Sequence, residues 1–185
     1  MTLVKALNRF VAAVTSTLLC SSLAVAASMH YGATLPFVLV SKDPPSVHNY
    51  RAVFWFQPDS LTWGNINLYF AGNVGYWWTH SPGTQNITIY AFAPVMRYYF
   101  TKTAHFSPYL EASVGPAYMN RTRFGNRNLG MHYTFQDEIG AGAMFGSDHG
   151  AYVSLSALHY SNGRMSAHNS GITVPLLLNV GYQFN

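Results

Sequence analysis

Near the C-terminal end of the chain, Leu158-His159-Tyr160-Ser161-Asn162 sets a base and a hydroxyl nucleophile two residues apart. In a β-strand, residues i and i+2 project from the same face. Upstream, the parity of His159 and Ser161 collects Ala151, Val153, Leu155 and Ala157, whereas the other parity collects Tyr152, Ser154 and Ser156. The pair therefore continues the more apolar face. A neutral imidazole can take the serine proton during attack on an ester carbonyl and return it to the leaving alcohol, and an amide donor such as Asn162 could stabilise the oxyanion. On a greasy strand face, this chemistry suits a substrate that is itself embedded in lipid.

Other constellations are poorer. The remaining histidines (His30, His48, His80, His105, His132, His149 and His168) show no metal-ligand spacing, so neither a metal nor another cofactor is expected. Asp137 and Glu138 are adjacent and face opposite ways in a strand, so they do not form a paired-carboxylate site. Glu138 and Glu111 are expected to join Arg97 in a polar network inside the fold.

The elements that must position the pair begin after an export signal. Lys5 and Arg9 precede an apolar run from Phe10 to Leu19, and Ala24-Val25-Ala26 supplies small residues for cleavage, so residues 1–26 read as a cleaved signal peptide and 27–185 as a single domain. Cys20 is the only cysteine; it follows Leu19, where an acylated lipoprotein cysteine would want a small residue, and cleavage leaves the mature chain without thiols. Removing Lys5 and Arg9 from 10 basic residues leaves 8 against 6 acidic ones, a formal charge of +2, so the basic balance is partly a targeting feature and gives no reason to expect a nucleic-acid partner. Charged residues at 9% beside aromatics at 16% argue against a water-soluble sandwich or lipocalin-like barrel. The combination points to the outer membrane.

Alternation of period two recurs along the mature chain. Trp63, Asn65, Asn67, Tyr69, Ala71 and Asn73 form a polar parity against Gly64, Ile66, Leu68, Phe70, Gly72 and Val74. The final segment alternates Ile172, Val174, Leu176, Leu178, Val180, Tyr182 and Phe184 with Thr173, Pro175, Asn179, Gly181 and Gln183, which predicts one continuous outward apolar row. Turn signals divide the chain into eight such segments (28–40, 48–56, 62–79, 86–100, 107–119, 130–146, 150–161 and 171–184), an even number that closes an antiparallel transmembrane β-barrel with no free edge. With both termini periplasmic, the seventh segment runs outward and carries His159 and Ser161 to the outer leaflet. The loops on that side hold Lys42, Arg121, Arg123, Arg127 and Arg164, and the four arginines are candidate ligands for lipid phosphates.

At these residues the chain resembles the PagL-type lipid A 3-O-deacylase family. The matching text is Tyr50-Arg51, Phe92-Ala93-Pro94-Val95, Ser107-Pro108-Tyr109-Leu110-Glu111-Ala112, Asn128-Leu129-Gly130, Phe135 through Gly142, His159-Tyr160-Ser161-Asn162 and the turn from Asn169 to Gly171, in the family's order. The resemblance implies an outer-membrane enzyme that hydrolyses the ester-linked acyl chain at position 3 of lipid A, with Ser161 as nucleophile, His159 as general base and Asn162 at the oxyanion. It implies lipopolysaccharide and the surrounding outer-membrane lipids as partners and leaves a homodimer open. The chain departs from the pattern at the third member, where the family orients the histidine with a glutamate or asparagine. Counting from Gly171 puts that position at Thr173, and counting back from Tyr182 and Phe184 puts it at Val174, a disagreement that predicts an extra loop residue or a bulge near Pro175. Thr173 can accept a hydrogen bond but brings no charge, so reduced efficiency is expected. The alternatives are a non-catalytic barrel, an adhesin or membrane stabiliser, and an enzyme that transfers the acyl chain to another alcohol.

Overall fold

A computed structural model describes residues 29–103, 105–146 and 150–184; the expected signal peptide lies outside these residues. Eight long antiparallel strands account for most of them: β1 (Met29–Val40), β2 (Val47–Pro58), β3 (Ile66–Thr79), β4 (Asn86–Tyr99), β5 (Phe106–Met119), β6 (Tyr133–Phe145), β7 (Ala151–Ser161) and β8 (Ile172–Phe184). Each pairs with its sequence neighbours except that β1, besides pairing with β2, closes the sheet on β8. The chain is thus an eight-stranded β-barrel with its backbone donors and acceptors turned sideways into neighbouring strands, which is what a hydrocarbon surround requires. The third strand is shorter than the sequence pattern predicts: Gly64, at φ 58°, turns Thr62–Trp63 back to pair with Asn67 and Ile66.

The outward rows are apolar, as in Tyr90, Phe92, Met96 and Tyr98 of β4 or Val153 and Leu155 of β7. Aromatic rings gather toward both rims, with Tyr50 against Trp78 and Tyr118 against Tyr133 on one, and Tyr98 against Phe100 and Phe106 against Phe145 on the other. Such girdles match the two membrane–water interfaces. Met29 pairs with Pro58 and Tyr31 with Phe184, so the start of β1 and the end of β8 share the second rim.

Inside, two apolar layers fill the barrel. Toward the long-loop rim Trp77, Ile87, Ile89, Met119, Leu158, Tyr160, Ile172 and Val174 pack together, capped by Phe124 and Leu129 folded in from the loop after β5. Toward the other rim lie Trp55, Tyr69, Tyr99, Tyr109, Met144 and Tyr152. Between and beside these layers run ionic and amide networks. Arg97 pairs with Glu111 at 2.8 Å, but Glu138 pairs with Arg51 at 3.1 Å instead of joining Arg97, a correction to the single network expected. Geometry decides this: Arg97 sits opposite Glu111 in the β4–β5 ladder, whereas Glu138 reaches Arg51 across the lumen.

One irregularity governs the site. In the β7–β8 ladder Ser156 faces Leu177 but Leu158 faces Val174, so β8 carries an extra residue around Pro175. Proline cannot donate to the ladder and concentrates at such bulges. Because the side-chain period is two, the extra residue exchanges the faces of everything beyond it. The outward row Leu178, Val180, Tyr182 and Phe184 therefore does not continue through Val174 and Ile172, as the alternation predicted; those two are fully buried in the lumen, and Thr173 turns outward.

Candidate active site

His159 and Ser161 occupy the end of β7 on the outer face, both partly exposed between the buried Leu158, Tyr160 and Asn162. Their ladder partners are Asp137 and Phe135 on β6, and on the other side His159 faces Thr173 of β8. The bulge has the consequence that Thr173 Oγ1 lies 3.0 Å from His159 Nδ1. Of the two residues that the counts from opposite ends indicate, Thr173 is the one beside the imidazole, and Val174 lies buried in the apolar lumen layer. In the tautomer whose Nδ1–H donates to the hydroxyl, Nε2 carries no hydrogen. A hydroxyl can also donate, so it fixes this tautomer less firmly than a carboxylate would. No hydrogen bond joins Ser161 to His159 in this resting arrangement, a common state for apo sites whose bonds tighten on substrate.

The backbone supports the imidazole from below. At Gly171, φ is 61°, and a Cβ there would come 2.8 Å from His159 Cε1 and 3.4 Å from Nε2. The ring therefore lies where any other side chain would stand. A groove of about 330 Å3 opens beside it, walled by Ala112, Ile139, Ala157 and Leu158, with Ser113, Asp137, Glu138, His159 and Thr173 as its polar lining. Asp137 was not singled out from the sequence as part of this site; its outward parity next to an otherwise apolar row was the available signal.

Loops hold the far end of β8 in place. Lys42 and Asp43 donate their backbone N–H groups to Thr173 O, and Thr173 N donates to Asp43 O at 2.7 Å. Arg127 donates through Nε to Gly171 O at 3.0 Å and through Nη2 to Ser170 O, while Nη1 stands 3.5 Å from the Asp43 carboxylate. All three guanidinium nitrogens have partners in the loops, so Arg127 clamps them together. Arg121, Arg123 and Arg164 are exposed, and Arg123 borders a second groove with Gly83, Asn126 and Asn128.

Asn162 is fully buried, and its amide is also committed. Nδ2 donates to Leu129 O at 2.6 Å and to His168 O at 2.8 Å, and Oδ1 accepts from Arg164 N. A primary amide has two hydrogens, so as it stands this side chain has none for an oxyanion. The buried, loop-locking position was not legible from the tetrapeptide, because it depends on carbonyls 33 and 6 residues away.

The model of the lipid A 3-O-deacylase (PagL) family matches residues 48–183. The chain is similar to the lipid A deacylase PagL of Pseudomonas aeruginosa, at 35% identity over 118 residues, which are 64% of this chain and 64% of that protein. It is also similar to the lipid A deacylase PagL of Bordetella bronchiseptica, at 25% identity over 162 residues, 85% of this chain and 82% of that one. Among solved structures, the crystal structure of the outer membrane enzyme PagL superposes with a TM-score of 0.65 at 27% identity, covering 85% of this chain and 99% of the other. Neisserial surface protein A superposes with a TM-score of 0.55 at 12% identity, a likeness of fold alone.

Proposed function

Since the chain belongs to the lipid A 3-O-deacylase (PagL) family, we propose that it is an outer-membrane hydrolase that removes the 3-O-linked acyl chain of lipid A by a serine–histidine mechanism. The observation that carries the proposal is the outward projection of His159 and Ser161 from one strand face beside an apolar groove, with Nδ1 of the imidazole already held by Thr173. An ester in the outer leaflet can meet such a site without leaving the membrane.

Ser161 Oγ attacks the ester carbonyl carbon while His159 Nε2 takes its proton. When the tetrahedral intermediate collapses, the bond to the sugar oxygen breaks and the imidazolium returns the proton to that oxygen. Water then releases the fatty acid from Ser161 by the same route. The oxyanion needs donors. Asn162 could serve only by giving up Leu129 or His168, whereas the Gly163 N–H, two residues past the nucleophile, has no acceptor among the described residues and is available without rearrangement. Arg121, Arg123 and Arg164 are exposed on the loops of the same rim and fit the phosphates of lipopolysaccharide.

Mass spectrometry of lipid A from cells expressing the wild type, Ser161→Ala or His159→Ala tests this. The wild type should remove one acyl chain and both variants should leave lipid A intact while still forming folded, heat-modifiable barrels. Full activity in either variant would remove the assignment, and an inactive wild type would favour a structural barrel.

A further inference from the structure

Among the described residues, Asp137 is the one carboxylate on the outward rows of the eight strands. Glu111 and Glu138 face the lumen in ion pairs, and Asp43 and Asp59 lie outside the long strands. An ionisable group on a lipid-facing wall is costly and therefore informative. Asp137 stands directly opposite His159 in the β6–β7 ladder, and both border the same groove. Side chains so placed have Cβ atoms roughly 5 Å apart. No described side chain pairs with the Asp137 carboxylate. His159 is thus flanked by a neutral hydroxyl that holds Nδ1 on one side and an unpaired anion on the other.

We propose that Asp137 supplies, from the neighbouring strand, the negative charge that Thr173 cannot, and so stabilises the His159 imidazolium formed as Ser161 attacks. This rests on the serine–histidine reading above. The proton moves from Ser161 Oγ to His159 Nε2 and on to the sugar oxygen, and Asp137 neither takes it nor forms a bond. The two roles of a triad acid are divided here, with Thr173 orienting the ring and Asp137 balancing its charge. The lipid surround keeps the attraction from being screened by water. The groups facing His159 are Asp137 from β6, Thr173 from β8 and Ser161 on its own strand, with Gly171 beneath the ring. Glu138 also lines the groove but is paired with Arg51 from the lumen side, and in the loop clamp Asp43 and Arg127 are paired with each other.

The test uses purified full-length barrel and lipid A in mixed micelles. Asp137→Asn keeps shape and loses charge; kcat should fall about tenfold to a hundredfold with KM within about twofold. Asp137→Glu should retain most of the rate and shows whether charge or fold is at issue. Thr173→Glu should raise the rate more in the Asp137→Asn background than in the wild type, since the two anions substitute for one another. A variant Asp137→Asn with unchanged kcat and raised KM would overturn the proposal in favour of a substrate contact, as would an equal gain from Thr173→Glu in both backgrounds. Ser161→Ala is run in parallel: if it stays active, the underlying mechanism fails whatever Asp137 does.

Discussion

At the scale of single residues, the site depends on which atom of His159 is held. Thr173→Val keeps the β-branched shape and removes the oxygen 3.0 Å from Nδ1. Without that acceptor the imidazole is free to rotate and to carry its proton on Nε2, so kcat should fall about tenfold or more at little cost in stability. Steady-state deacylation with a heat-modifiability control measures this. The shared outward face of His159 and Ser161 was legible in the sequence because strand parity alone places residues 159 and 161 together. Asn162 was legible as a neighbour of Ser161 but not as a buried lock, since one acceptor, Leu129 O, comes from another loop and the other, His168 O, from farther along its own. Asp137 was legible only as a carboxylate facing away from Glu138; its opposition to His159 is a matter of register between strands, which no single segment contains.

At the scale of elements, a one-residue bulge in β8 decides what the third position is. The sequence disagreed with itself by one residue there, counting from opposite ends of the strand, and Pro175 was the visible cause. The alternation ahead of the bulge then misled, because Ile172 and Val174 match the outward row in type yet fill the lumen. Cysteine labelling probes the parity of the partner strand: Ala157→Cys should react with a lipid-soluble maleimide, and Ser156→Cys, replacing a buried hydroxyl that donates to Glu138 Oε1 at 2.7 Å, should not. The reverse pattern would invert the register. The loop clamp gives a second expectation. Arg127→Gln releases Gly171 O, Ser170 O and Asp43 together, so it should lower kcat several-fold with an effect insensitive to salt. Arg123→Gln and Arg164→Gln, whose groups are exposed, should instead raise KM, and the difference should shrink as ionic strength rises. Michaelis parameters at low and high salt separate the two classes. From the sequence, all four loop arginines looked alike, because a side chain's partners are set by which loops the barrel brings together.

At the scale of the whole molecule, composition and alternation were enough to reach a closed barrel, since a chain with few charges, many aromatics and eight alternating segments has few other ways to bury its backbone. The interior was harder to foresee. Side chains that face inward read as merely mixed in sequence, yet they sort into two apolar layers with ion pairs at separate heights. Little room is left between them: the space around Arg51, Tyr69 and Glu138 amounts to about 50 Å3. A barrel filled in this way is an insulator. Reconstituted into a planar bilayer under an applied voltage, it should give no discrete current steps, and Trp77→Ala, which removes the largest fully buried side chain of the outer layer, is the variant best placed to make it leak. A cell could then carry many copies of such an enzyme in its outermost membrane without surrendering the electrical and chemical seal that the membrane exists to provide.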